Sequence, residues 1–224
     1  MSPILNNFRL ILAVVAAVTA VHDAAAKFPV RLWDDDMARH TFSLEAGPAL
    51  FSGNNRLLGA AGYADGDITP VGAQVALRYD WSYFRGYEVA VGTGVTYIFS
   101  GTSSRLDGGI LHRGGVRLGE SFHYIGLNAV DTKMWFGKRT VWDVCIHMGY
   151  MGGSSWMKAG DERQSVAQHG FMAGISTGLD FLITAWLGVG VRLNTMTGVL
   201  YPSGSSSSRE YSSGSLMVGA VYCF

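Results

Sequence analysis

Apolar and polar residues alternate one by one along most of this chain, and that alternation restricts the possible folds more than any other feature. In PVGAQVALRYDWSYF, one face takes Val71, Ala73, Val75, Leu77, Tyr79, Trp81 and Tyr83, and the other takes Gly72, Gln74, Ala76, Arg78, Asp80 and Ser82. A helix would scatter these residues around its circumference, whereas a strand sorts them cleanly. GYEVAVGTGVTYIF repeats the pattern, with Tyr87, Val89, Val91, Val95, Tyr97 and Phe99 opposite Glu88, Ala90, Gly92, Gly94 and Thr96. The period predicts about eight strands, at 41–52, 71–84, 86–99, 119–136, 140–151, 170–182, 184–198 and 211–224, and therefore an all-β chain.

The links between these strands alternate in length. Short turns are expected at Phe84-Arg85-Gly86, Gly137-Lys138-Arg139 and near Leu182-Ile183-Thr184. The first places Trp81 beside Val89 and Tyr83 beside Tyr87; the third matches Leu179 with Leu187, Ile175 with Val191 and Gly178 with Gly188. Pairing outward from the second sets Met134 against Trp142, Val130 against Ile146, and Lys133 against Asp143, an opposite-charge cross-strand pair. The two halves of the fourth strand disagree in parity unless a bulge lies near Ala129. Four long, turn-rich links alternate with the short ones: FSGNNRLLGAAGYADGD, SGTSSRLDGG, GGSSWMKAGDERQ and YPSGSSSSRE. An up-and-down antiparallel transmembrane barrel has short turns at one end and long loops at the other.

Residue size decides which face points outward. The polar face is poor in bulk (Gly72, Ala76, Gly92, Gly94, Ser176, Gly178, Gly188, Gly190) and carries Arg78, Asp80, Glu88, Lys133, Asp143, Asp180 and Arg192. Small residues interspersed with charges suit a closed, side-chain-filled interior, where those charges would form a lumen network. The apolar face bands its aromatics at two heights: Trp81, Tyr83, Tyr87, Phe136, Trp142, Phe181, Tyr222 and Phe224 near the short turns, and Tyr97, Phe99, Tyr150 and Phe171 near the long loops. Such girdles mark the headgroup levels of a bilayer. Charged residues are only 15% of the chain and the formal net charge is +0, so no basic stripe points to nucleic acid.

The apolar run from Leu10 to Val21 follows Arg9 and is about the length of a signal-peptide core, with small residues at Ala24 and Ala26 before a cleavage point. The expected organisation is a signal peptide at 1–26, a periplasmic segment at 27–40 and an outer-membrane barrel at 41–224. Cys145 and Cys223 are the only thiols; their difference in height along the strands argues against a bridge.

The sequence resembles the small eight-stranded outer-membrane barrels of Gram-negative bacteria, the OmpX-like and OmpA-transmembrane-like group. The resemblance rests on the last strand, where Leu216, Val218, Ala220, Tyr222 and Phe224 alternate outward. In that group this pattern implies recognition by the barrel-assembly machinery and a cell-outer-membrane location among lipid that includes lipopolysaccharide. The stretch HYIGLNAVDTKMWF also resembles a strand of the Bacteroidetes outer-membrane barrel group.

Some barrels of this architecture resemble lipid A acyltransferases or deacylases, whose nucleophile needs a base within hydrogen-bond reach. Ser121 and His123 share a face, and His147 shares one with Asp143, so Ser121, His123 and His147 are the weak catalytic candidates; equally, Ser121 and His123 read as a polar rim and His147 as a hydrogen-bonded lumen residue. The triplet Asp34-Asp35-Asp36 reads as a solvated acidic run rather than a calcium site. There is no phosphate-binding loop, no C-x-x-C and no His pair at metal spacing, so no cofactor or metal is expected. The reading favoured is a structural or surface-interaction protein, more a non-enzyme than an enzyme. Lipid modification, a small channel and a soluble carrier are the alternatives, and the ligand of the outer loops is left open.

Overall fold

A computed structural model describes residues 40–52, 71–85, 88–106, 116–136, 139–184, 186–204 and 208–224. The proposed signal peptide, the 27–39 segment with its acidic triplet, Tyr87 and the 53–70 link lie outside them. The strands are β1 His40–Ser52, β2 Val71–Arg85, β3 Val89–Leu106, β4 Val116–Phe136, β5 Thr140–Ala159, β6 Glu162–Leu182, β7 Leu187–Pro202 and β8 Arg209–Cys223. Each pairs antiparallel with the next, and β8 pairs back onto β1, so the sheet closes on itself as a barrel. The seam continues at its lower end, where His40 and Phe224 exchange backbone hydrogen bonds of 2.9 and 3.0 Å.

The faces fall where the alternation places them. Val75, Leu77, Tyr79, Trp81 and Tyr83 are exposed on the outside of β2, while Gln74, Ala76, Arg78, Asp80 and Ser82 are buried inside it. The middle hairpin has the expected register, with Lys133 opposite Asp143, Met134 opposite Trp142 and Val130 opposite Ile146. The register slips between Asn128 and Val130, leaving Ala129 as the bulged residue. That extra residue reconciles the two parities of β4.

Two hairpins differ from expectation. Trp81 faces Thr93, not Val89, and Leu179 faces Val191, not Leu187. Gly178 consequently meets Arg192 and not Gly188. Up to Ser82 in the first and throughout the second, the registers are displaced by four residues, an even number, so these side chains keep their faces while their neighbours change. The cause lies in the connections: β2 runs on to Arg85 with an irregularity between Ser82 and Phe84, and at the other hairpin the Ile183 and Thr184 amides bond the Leu187 carbonyl across a wider turn. Glu88 is also displaced. It sits exposed at the bend before β3, with its carbonyl accepting the Trp135 amide at 2.8 Å, and so lies outside the lumen.

The expected long link GGSSWMKAGDERQ is strand for most of its length. β5 and β6 pair without interruption to Ala159 and Glu162, and the chain reverses at Gly160, whose φ of 60° suits glycine. Beyond an apolar belt a strand no longer needs apolar outward residues, so alternation stops reporting it. β3, β4 and β7 outrun their expected ends for the same reason.

Candidate functional site

The most organised chemistry lies inside the barrel, in the half nearer the short turns. Arg78 of β2 forms a two-pronged pair with Asp143 of β5, at 3.1 Å from Nη1 and 2.5 Å from Nη2. The same Nη2 reaches Asp131 of β4 at 2.5 Å, and Nε lies 2.8 Å from Asp80. On the far side of Asp143, Arg192 of β7 donates to that carboxylate from Nη1 and to Glu45 of β1 from Nε at 2.7 Å. Its Nη2 lies 3.6 Å from Asp180 of β6. Lys133 pairs with Asp131 at 2.9 Å and Asp80 at 3.5 Å, and donates to Thr41 at 3.3 Å. One connected network therefore joins β1, β2, β4, β5, β6 and β7 across the lumen. Two-pronged guanidinium–carboxylate contacts fix geometry as well as charge.

Of the seven charges expected in this network, Arg78, Asp80, Lys133, Asp143, Asp180 and Arg192 meet there, and Glu88 does not. Lys133 opposes Asp143 in register yet pairs with Asp131 and Asp80, because two arginines already saturate Asp143. Glu45 and Asp131 complete the set. Glu45 was legible in TFSLEAG, where Thr41, Ser43 and Glu45 alternate with Phe42 and Leu44. The carboxylates of Asp80, Asp131 and Asp143 converge closely enough to hold a metal ion, but Arg78 contacts all three.

Above the charges sits a neutral polar tier. Thr96 donates to Asn128 Oδ1 at 2.6 Å, and Asn128 Nδ2 donates to Asp80 at 2.6 Å. The His147 ring lies between the Tyr124 hydroxyl, 2.9 Å from Nδ1, and Asn194 Oδ1, 3.0 Å from Nε2. Gly174 leaves room for that ring, since a Cβ there would overlap the imidazole. Higher still, Phe51, Ile98, Phe122, Met151, Met172, Met196, Leu200, Tyr211 and Met217 fill the bore as an apolar plug. A last polar tier follows, in which Arg209 pairs with Glu120 at 2.9 Å, Ser155 donates to Glu120 at 2.7 Å and Gln168 donates to Ser155 at 2.5 Å. A cavity of about 10 Å³ between charges and plug has room for roughly one water molecule.

The catalytic candidates are not brought together. Ser121 and His123 point outward from β4, with His123 Nδ1 2.7 Å from the Tyr97 hydroxyl and its ring 5.1 Å from that of Phe99. His147 points inward, on the other side of the wall. Asp143 is held by Arg78 and Arg192, and among the described residues the His147 ring has Tyr124 and Asn194 as partners and no carboxylate. Cys145 and Cys223 are both buried free thiols.

The outer surface is the opposite of the lumen. Leu44, Leu77, Val95, Leu127, Met148, Leu179, Val191 and Val218 are exposed around the barrel. Below them stand Trp81, Trp142, Phe181, Tyr222 and Phe224, and above them Phe99, Tyr150, Phe171 and Tyr201. Phe224 stacks on His40 at 5.2 Å and lies 5.5 Å from Tyr222, so the outward residues of β8 are part of the lower aromatic ring. On β5 the belt runs from Trp142 to Tyr150, roughly 27 Å of strand or about 20 Å of height at the usual tilt. Soluble monomers rarely expose a continuous apolar surface of this kind.

Comparison with solved structures places the architecture. Neisserial surface protein A superposes with a TM-score of 0.51 at 11% identity, over 84% of this chain and 98% of that one. The fold is that of a small eight-stranded outer-membrane barrel. Ail, the attachment invasion locus protein of Yersinia pestis, aligns with a TM-score of 0.45 at 14% identity over 83% of this chain and 99% of its own. The outer membrane protease OmpT of Escherichia coli aligns at 0.46 and 10% identity over 87% and 99%. No protein-family profile and no curated protein sequence matches the chain.

Proposed function

We propose that this chain is an integral outer-membrane barrel with a structural or surface-interaction role, carried by the strand ends above the apolar belt and the external loops that join them. The observation that carries the reading is the inversion of the two surfaces. Buried Arg78, Asp131, Asp143 and Arg192 fill the inside while an aromatic-edged apolar ring covers the outside. In water the apolar outer face would be unfavourable; in a bilayer it is favourable, and the closed sheet keeps the paired charges away from lipid. Residues 1–26 act as an export signal, 27–40 lie in the periplasm, and the outward residues Leu216, Val218, Ala220, Tyr222 and Phe224 serve as the assembly signal. Outer-membrane lipid, lipopolysaccharide included, is the surrounding partner.

The plug speaks against a channel, because charges and methionines span the whole bore. Lipid-modifying chemistry lacks support in the candidates: among the described residues no acid contacts Ser121 or His123, Glu120 pairs inward with Arg209, and His147 faces the other way. The test is fractionation followed by gel mobility. The full chain should sediment with outer membranes and run faster unheated than boiled in detergent. Recovery in the soluble fraction would overturn the reading, and steady planar-bilayer conductance would replace it with the channel.

A further inference from the structure

Three basic residues stand directly opposite one another across three adjacent strands: Arg117 pairs with Lys158, and Lys158 with Arg163. Directly opposed residues share a face and hold their Cβ atoms about 5 Å apart, where like charges repel. Arg117, Lys158 and Arg163 are exposed, and their parity with Ile125, Tyr150 and Phe171 puts them on the outer wall. None of the three makes an ion pair among the described residues. The nearest strand carboxylate on β4, Glu120, points inward to Arg209. Asp161 and Glu162, exposed at the hairpin tip beside the row, make no ion pair with it among the described residues, and a row of cations assembled by register suits an anion.

The wall beneath the row adds a second feature. One step down, Trp156 lies over Gly119, where a Cβ would overlap its indole, and the Arg163 guanidinium sits 5.5 Å from the ring centroid. An aromatic face beside guanidinium groups suits a sugar carrying phosphate. Between this platform and the upper aromatic band come only Ser121, Ser154 and Ala167, then His123, Gly152 and His169. Read upward, the outer wall is apolar, then small and polar, then aromatic and basic. The basic row is about 20 Å above the Ile125–Tyr150 level at the usual strand rise and tilt. The same order runs along an amphiphile with acyl chains, neutral sugars and phosphate.

We propose that Arg117, Lys158 and Arg163, with Trp156, bind the phosphorylated saccharide of a glycolipid whose acyl chains lie against the belt below. The inference rests on the membrane reading above, and continuity with the belt is what favours a lipid-anchored anion over a soluble one.

The test uses the full chain purified in detergent, the triple variant R117Q/K158Q/R163Q, and the charge-keeping variant R117K/R163K. Binding is measured to phosphorylated lipopolysaccharide, to the same material dephosphorylated, and to dextran sulfate. The triple variant should bind phosphorylated lipopolysaccharide about tenfold more weakly than the parent, with the charge-keeping variant close to the parent. Dephosphorylated lipopolysaccharide, which keeps only carboxylates as its anions, should show a much smaller difference between them. Equal binding of the phosphorylated form by parent and triple variant overturns the proposal, as does tighter, row-dependent binding of dextran sulfate, which would assign the row to a soluble polyanion. Heat-modifiable mobility checks that each variant is folded, and R117Q/R163Q replaces a triple variant that is not. A parent protein found in the soluble fraction would instead defeat the membrane reading itself.

Discussion

Two tiers of the lumen fill the same bore by different means. Near the short turns, Arg78, Lys133 and Arg192 are held among Glu45, Asp80, Asp131, Asp143 and Asp180 by directional contacts. Above them, Met151, Met172, Met196 and Met217 pack against one another and against the edge-on Phe122 and Tyr211 rings, with no charged partner needed by the methionines. A charged tier depends on every partner being present, because a lone buried ion has neither water nor a counterion. A methionine-rich tier tolerates exchange, because an unbranched thioether adapts to its surroundings. The charged tier should therefore be brittle and the methionine plug forgiving.

Asp143→Ala offers the largest test of that contrast. It strips one carboxylate from both Arg78 and Arg192, and unfolding in detergent or lipid should show a loss of about 3–5 kcal/mol. A loss under about 1 kcal/mol would mean that water already reaches the lower tier. Lys133→Ala should be milder, about 1–3 kcal/mol in the same assay, because Asp131 and Asp80 both keep Arg78. If Lys133→Ala proved as damaging as Asp143→Ala, the hub would be Asp131 instead. Met196→Leu in the plug should change stability by less than about 1.5 kcal/mol. A larger penalty there would show that the plug is as exacting as the charged tier, and the contrast would fail.

What the sequence disclosed, and what it withheld, follows from what period two encodes. Parity assigns each residue to a face, so the inward set Arg78, Asp80, Lys133, Asp143, Asp180 and Arg192 was readable from alternation. It carries no information about which inward residues are neighbours once a register moves by an even number. Hence Trp81 faces Thr93 and Gly178 faces Arg192, contrary to the tightest turns the sequence allowed. The bulge at Ala129 was readable because an odd slip does break parity. The upper reach of β5 and β6 was not, because Gly153, Ser154 and Ser155 satisfy a strand exposed to water as well as they satisfy a loop. Glu88 misled for the opposite reason: it extends the alternation of β3 into a bend, where its carbonyl still bonds β4 but its side chain is exposed.

The seam between β1 and β8 bears on how the chain tolerates being cut. Because every strand has two hydrogen-bonded neighbours, severing the backbone in any connecting segment leaves no strand with an open side. A nicked chain would stay stitched together, and joining His40 to Phe224 while reopening the chain in the 203–208 link would permute the order of strands without altering a single pairing.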